Sequence, residues 1–345
     1  MLAVFAQSGD ADGTLSFLSS PSLVVALIEI AIGLFLLTKA ADLFVDGAVA
    51  IAGSLKMSPI VVGAVIVGFG TSAPELLVSG LAAIDGNVDL GVGNIVGSNV
   101  ANLSLVLGAA ALVVPLLVTK SVLAREAPIS LMAVALFAFF TIDGFRPWEG
   151  IVMLVVLAAV LAWIVLGGNS DSIEELEFDE DQSIGKSFGV TLVGLVGTIL
   201  GAQLMVWGAL AVAMEFGLSG GFIGFTLVAI GTSLPELVTA VAAARKGETE
   251  LILGNLLGSN VFNSLAVGGA IALLGAGEIT DELMRSYGIV IMVLVATLAW
   301  VFMVMRKRVS KPEATALLTV YALAILVISE TSIGESIRTA IESVA

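Results

Sequence analysis

The chain contains no cysteine and no histidine. The first absence excludes disulfides and thiolate metal sites, and the second removes the commonest transition-metal ligand and the usual proton shuttle. Any metal ion bound here therefore meets oxygen. Charge is scarce too: 12% of the 345 residues are Asp, Glu, Lys or Arg, 58% are hydrophobic, and the mean hydropathy is +1.11. A soluble core has no room for that much apolar surface, so the chain is expected in a lipid bilayer. Its apolar runs lack the period-two alternation of an outer-membrane barrel. Nucleophile–base pairs, catalytic metal triads and phosphate loops are also missing, which argues against an enzyme and against a resident cofactor. The net charge of −15 is local, because seven of the 29 acids fall between Asp171 and Asp181. No nucleic-acid partner is expected.

What is present is a series of apolar runs, each near the roughly 20 residues that cross a hydrocarbon core of about 30 Å. They predict ten helices, at 22–52, 58–84, 88–114, 122–142, 148–167, 187–215, 220–244, 250–275, 286–305 and 313–329. Pro59, Pro128, Pro147 and Pro312 fall near proposed starts, where the missing N–H matters little. The fold class expected is an all-α polytopic membrane protein. Its parts are an extracytoplasmic leader (1–21), a five-helix unit (22–167), an acidic loop (168–186), a second five-helix unit (187–330) and an extracytoplasmic tail (331–345). Lys56, Lys120, Arg125, Lys186, Arg245, Lys246, Arg306, Lys307, Arg308 and Lys311 gather in the connections of one side, against Arg146, Arg285 and Arg338 on the other. The positive-inside bias then makes the first side cytoplasmic, with both termini outside a cell (inner) membrane. The loop from Asp171 to Asp181 reads either as a solvated linker or as a regulatory cation site.

Sliding the sequence on itself by 161 residues aligns 41–108 with 202–269 without a gap. Gly70-Thr-Ser-Ala-Pro-Glu75 meets Gly231-Thr-Ser-Leu-Pro-Glu236, and Gly93-Asn-Ile-Val-Gly-Ser-Asn-Val-Ala-Asn102 meets Gly254-Asn-Leu-Leu-Gly-Ser-Asn-Val-Phe-Asn263. Five helices per copy is an odd number, so the second copy crosses the membrane in the opposite sense. The joint between the two motif helices agrees, being acidic in one copy (Asp85, Asp89) and basic in the other (Arg245, Lys246). Two inverted five-helix repeats place substrate near the bilayer midplane and move it by alternating access.

Glu75 and Glu236 lie inside apolar helices, where a carboxylate costs about 2.5–3.5 kcal/mol. Lys39 is the one intramembrane base able to neutralise either, so ion coordination is the expected role. Pro74 and Pro235 loosen the helices just before them and free backbone oxygens. Thr71 and Ser72 stand four and three residues before Glu75, on one face with it, and Thr232 and Ser233 match them before Glu236. Asn94, Ser98 and Asn102, with Asn255, Ser259 and Asn263, form polar stripes at i+4 steps. Ser98, Asn102, Ser259 and Asn263 are expected as ligands; Asn94, Asn255, Asn99 and Asn260 fit either ligation or interhelical hydrogen bonding. Two carboxylates, several hydroxyls and amide oxygens suit a hard cation of Ca²⁺ type, which takes six to eight oxygens. Monovalent ions can divide the same oxygens, which suggests exchange.

At these residues the chain resembles the calcium/cation antiporter superfamily, in its prokaryotic Na⁺/Ca²⁺ exchanger branch. The two hallmark repeats are Gly70–Glu75 with Gly93–Asn102 and Gly231–Glu236 with Gly254–Asn263. The resemblance implies ion ligands at Thr71, Ser72, Glu75, Ser98, Asn102, Thr232, Ser233, Glu236 and Ser259, with backbone carbonyls from Gly68 and Ala229. It also implies that the opening helix of each half slides against the rest. Many relatives have an aspartate where this chain has Asn263, which argues against K⁺ co-transport. The function implied is export of Ca²⁺ in exchange for Na⁺ by a chain acting as a monomer in the bilayer. H⁺ as the driving ion, or a cation channel, are the alternatives.

Overall fold

Ten apolar segments with short connections have to bury their polar stripes against one another and give their apolar faces to lipid, and the architecture follows from that sorting. The structure is a computed structural model and describes residues 23–55, 57–166, 184–215, 229–329 and 332–342. The proposed leader, the acidic loop and the first part of the helix expected at 220–244 lie outside the described residues. The first half consists of α1 (Leu23–Leu55), α2 (Pro59–Thr71), α3 (Ala73–Ile84), α4 (Val88–Val113), α5 (Lys120–Phe140) and α6 (Pro147–Leu166). The second consists of α7 (Ile184–Glu215), α8 (Ala229–Thr232), α9 (Leu234–Lys246), α10 (Thr249–Leu274), α11 (Met284–Arg306) and α12 (Lys311–Ile328). A further helix, α13 (Ser332–Glu342), lies within the expected C-terminal tail. Eight of these helices are long and apolar enough to cross a membrane, and α2 with α3, bent by 45° at Ser72, makes a ninth.

The inversion is visible in how helices approach. Small residues let α1 and α7 touch along their length, with Gly208 against Ala26, Gly201 against Leu37, Gly194 against Phe44 and Gly47 against Thr191. One number rises as the other falls, so the opening helices of the two halves run antiparallel. By contrast α2 and α10 run parallel: Gly254 meets Ile60, Gly258 meets Ala64, and Gly68 meets Ser259. The second helix of one half lies alongside the third helix of the other in the same sense only when the halves are inverted.

Burial runs opposite to the habit of soluble proteins. The two spans richest in Gly, Ser and Asn, α4 and α10, are the most enclosed, with 78% and 89% of their central windows buried. The greasier α1 and α7 are enclosed over only 22% and 28%. Lipid accepts Leu and Ile readily, whereas polar side chains need protein partners, so the polar helices take the centre.

The connections sort into two ends. The strand β1 (Leu116–Leu117), after α4, pairs antiparallel with β2 (Arg308–Val309), after α11, with Leu116 opposite Val309. Arg125 donates to the Ile164 carbonyl (3.0 Å), bringing the end of α6 to the same level. This end carries Lys120, Arg125, Arg306, Lys307, Arg308 and Lys311. At the opposite end the Phe145 N–H donates to Gly277 O (2.8 Å), and the Thr280 N–H donates to Asp89 Oδ1 (2.8 Å). That end carries Asp85, Asp89, Asp143, Glu278 and Asp281. We call them the basic and acidic ends. The matched helices α3 and α9 each stop at a left-handed glycine, Gly86 (φ 76°) and Gly247 (φ 78°), 161 residues apart.

The closeness of α2 and α10 gives a direct test. A Cβ on Gly63 would lie 2.5 Å from Leu251 O and 3.0 Å from Asn255 N, so Gly63→Val should separate the helices and destabilise by roughly 1–3 kcal/mol. Gly80 has nothing within 4 Å of such a Cβ, and Gly80→Ala should hold or slightly raise stability. Thermal midpoints of the detergent-solubilised variants check this; equal midpoints would contradict it.

Candidate functional site: a cluster of oxygens shared by two halves

The two halves meet at the break in each motif helix. Ser72 (φ −86°, ψ 6°) and Ser233 (φ −88°, ψ 3°) adopt nearly identical non-helical conformations just before Pro74 and Pro235. Each break starts a new helix whose first turn carries the glutamate. The same backbone N–H groups that lack helical partners there favour an acidic side chain. A second matched irregularity follows the polar stripes: α4 and α10 widen to i→i+5 hydrogen bonding over Asn102–Val106 and Asn263–Val267, also 161 residues apart. Such widened turns are frequent at functional sites, because they displace a carbonyl from its usual partner.

Glu75 and Glu236 are both fully buried. They stand close enough to repel one another, and no Lys or Arg pairs with either among the described residues. Lys39, the one basic candidate, is exposed. The hydroxyls that address each carboxylate come partly from the opposite half. Ser72 Oγ donates to Glu236 Oε1 (3.1 Å), and Thr71 lies beside the same carboxylate. Ser98 Oγ donates to Glu75 Oε1 (3.3 Å), and Thr232 approaches it from the second half. The threonines are bracketed symmetrically: Thr71 Oγ1 lies 3.3 Å from Asn255 Oδ1, and Thr232 Oγ1 lies 3.2 Å from Asn94 Oδ1. Ser259 Oγ donates to the Gly68 carbonyl (3.2 Å). Asn102 uses its amide nitrogen on Asn260 Oδ1 (3.1 Å).

Several buried oxygens on these helix turns have no hydrogen-bond partner among the described residues. They are Glu75 Oε2, Glu236 Oε2, Asn102 Oδ1, Asn263 Oδ1 and Ser233 Oγ. Leaving a buried polar atom unpaired costs about 1–3 kcal/mol, more for a charged group, and a cation satisfies acceptors of this kind. The donor set is all oxygen and contains two carboxylates, which suits Ca²⁺ or Na⁺ as cargo.

Of the residues expected from sequence, Thr71, Ser72, Glu75, Ser98, Gly68, Thr232, Glu236 and Ser259 are drawn together by these contacts, whereas Asn102, whose amide goes to Asn260, and Ser233 and Asn263 are buried with unpaired oxygens. Ala229 heads α8, and no hydrogen bond among the described residues joins it to the others. Asn94 and Asn255 hold the threonines, while Asn99 and Asn260 tie α4 to α10, with Asn260 Nδ2 donating to Asn99 O (3.4 Å). Three supports were missed from sequence. Ser79 receives Asn94 Nδ2 (3.0 Å), Thr239 receives Asn255 Nδ2 (3.5 Å), and Ser264 receives Asn99 Nδ2 (3.0 Å). Their signal was available, since Ser79 and Thr239 sit one turn beyond Glu75 and Glu236 on the same face.

Unpaired buried carboxylates shared by two inverted halves of a helical bundle define a secondary transporter of cations. The chain belongs to the sodium/calcium exchanger protein family, whose model matches residues 25–166 and 186–329. It is 37% identical over 311 residues to CaxA of Alkalimonas amylolytica, covering 87% of this chain and 97% of that one. It is 28% identical over 351 residues to the sodium/calcium exchanger MaX1 of Methanosarcina acetivorans, covering 89% and 99%. Among solved structures it is similar to the sodium-calcium exchanger NCX_Mj soaked with Na⁺ and Sr²⁺, with a TM-score of 0.78 at 30% identity, covering 88% and 98%. The fold is accordingly the ten-helix inverted repeat, and the protein is a cation/Ca²⁺ antiporter of the membrane, not an enzyme.

Both side-chain polar atoms of Asn263 lack a hydrogen-bond partner among the described residues. Asn263→Asp adds a third acid to the cluster and should tighten Ca²⁺ binding by about tenfold. Calorimetric titration of the purified variant measures this; an unchanged affinity would remove Asn263 from the ion's surroundings.

Proposed function

We propose that the protein exports Ca²⁺ in exchange for Na⁺ by alternating access, with both ions loading the one oxygen cluster around Glu75 and Glu236. The carrying observation is that, among the described residues, the two buried glutamates have no basic partner and each keeps an unpaired oxygen. Two carboxylates neutralise one divalent ion. The same carboxylates, with Thr71, Ser72, Ser98, Asn102, Thr232, Ser233, Ser259 and Asn263, and the carbonyls of Gly68 and Ala229, can instead be divided among Na⁺ ions. Because the ions compete for one set of ligands, neither crosses unless the other returns.

The inverted halves, at 22–167 and 187–330, exchange conformations to open the cluster to one face and then the other. Both halves contribute ligands within one chain, so the monomer is the transporting unit. Basic connections mark the cytoplasmic side of the cell (inner) membrane, which leaves both termini outside. The acidic stretch between Asp171 and Asp181 then lies in the cytoplasm.

Glu75→Gln and Glu236→Gln each remove a charge that no neighbour replaces, and each should lower Na⁺-driven Ca²⁺ flux at least about a hundredfold, roughly 2.7 kcal/mol, while the protein remains folded. Flux into proteoliposomes under an imposed Na⁺ or pH gradient is the measurement. Robust exchange by either variant contradicts the assignment. Uptake that follows the pH gradient and ignores Na⁺ makes H⁺ the driving ion, and flux with no counter-ion on the far side makes the protein a channel.

A further inference from the structure

The two halves match closely at the cluster, yet they differ at one contact between the opening helix and the rest. Lys246, the last residue of α9, donates from Nζ to Asp46 Oδ1 (2.5 Å) and to the Asp42 carbonyl (3.0 Å), both on α1. Shifting by 161 residues maps Lys246 onto Asp85, Asp46 onto Trp207 and Asp42 onto Gln203. The corresponding place in the inverted half thus offers an exposed carboxylate and an exposed indole, and no ion pair joins them among the described residues. The surrounding packing is unequal in the same direction. Among the described residues, α1 runs alongside α9, whereas the corresponding approach of α7 to α3 is slight.

These observations bear on how the molecule opens. α1 and α7 pack mainly on one another and present much of their remaining surface outward, so they form a peripheral pair set against the central α4 and α10. In an inverted repeat the two end states arise when the halves trade conformations. A contact available to only one half is made in one of those states and lost in the other. It therefore biases the equilibrium by its own free energy. In this structure the contact is made, and α1 is drawn onto α9 at the basic end.

We propose that Lys246 and Asp46 are positioning residues, a one-sided latch that holds the basic end closed and so sets which face the transporter prefers to open. The proposal rests on the exchange reading above. Neither residue belongs to the oxygen cluster, so the latch acts on the balance between states and not on ion coordination. The pair is only partly buried, with side chains 30% and 63% exposed, and it breaks readily enough to be crossed in every cycle. Glu248, in the turn after α9, also attracts the Lys246 ammonium and offers it a second partner once α1 departs.

The test compares Ca²⁺ dependence at the two faces, in right-side-out and inside-out vesicles. Lys246→Gln and Asp46→Asn should each lower the half-saturating Ca²⁺ concentration at the basic face and raise it at the other, changing their ratio roughly two- to fivefold. The double variant should change the ratio no more than either single one, because both remove the same contact. The reversed pair, Asp46→Lys with Lys246→Asp, should restore the ratio. An unchanged ratio in the single variants, or no recovery in the reversed pair, overturns the latch and leaves the exchange reading intact. If the parent protein moves no Ca²⁺ in response to Na⁺ in the same vesicles, it is the exchange reading that fails.

Discussion

Two neighbouring carboxyl groups enclosed in a bundle, with no basic partner among the described residues, are the constraint around which this protein is organised. Each carboxylate costs about 2.5–3.5 kcal/mol at membrane depth, and Glu75 and Glu236 also repel one another. Helix breaks, widened turns and the Asn, Ser and Thr brackets all reduce that cost without neutralising it. Ser72 of the first half addresses Glu236 of the second, and Thr232 of the second addresses Glu75 of the first. This cross-bracing means that neither half holds a complete site alone, and that rearranging one half alters the ligands of both glutamates.

The enclosing scaffold follows from the same constraint. Polar stripes on α4 and α10 drive those helices to the centre, and glycines at Gly63, Gly68, Gly254 and Gly258 bring backbones close enough for side chains from both halves to reach one another. The apolar α1 and α7 are left outside, where lipid receives them. Under the proposed exchange, selectivity and movement would divide between parts: the central helices carry the oxygen cluster, and the peripheral pair packs mainly on itself.

Much of this was legible in the sequence because membrane spans and duplication are written locally. The apolar runs marked the described helix ends to within a few residues, and the 161-residue repeat located the glutamates and their hydroxyls together. The partners of individual side chains were not legible. Asn94 and Asn255 fitted either role until the approach of opposite halves put a threonine hydroxyl on each. Ser79 and Thr239 could have been read from the face they share with the glutamates, whereas the importance of Ser264 depends on which helix packs over it. The ion pair of Lys246 with Asp46 joins residues 200 positions apart, and no local pattern announces it. The helix α13 escaped a search for long apolar runs, although Ile333, Ile337 and Ile341 recur at i+4 in a polar segment.

The central claim is that one oxygen cluster serves both ions. Equilibrium binding of ⁴⁵Ca²⁺ to the purified chain, with Na⁺ titrated in, tests it most directly. The account predicts one Ca²⁺ per chain, displaced completely by Na⁺ and absent when both glutamates are replaced by glutamine. Ca²⁺ that stays bound at saturating Na⁺, or that binds undiminished to the doubly substituted chain, would contradict it.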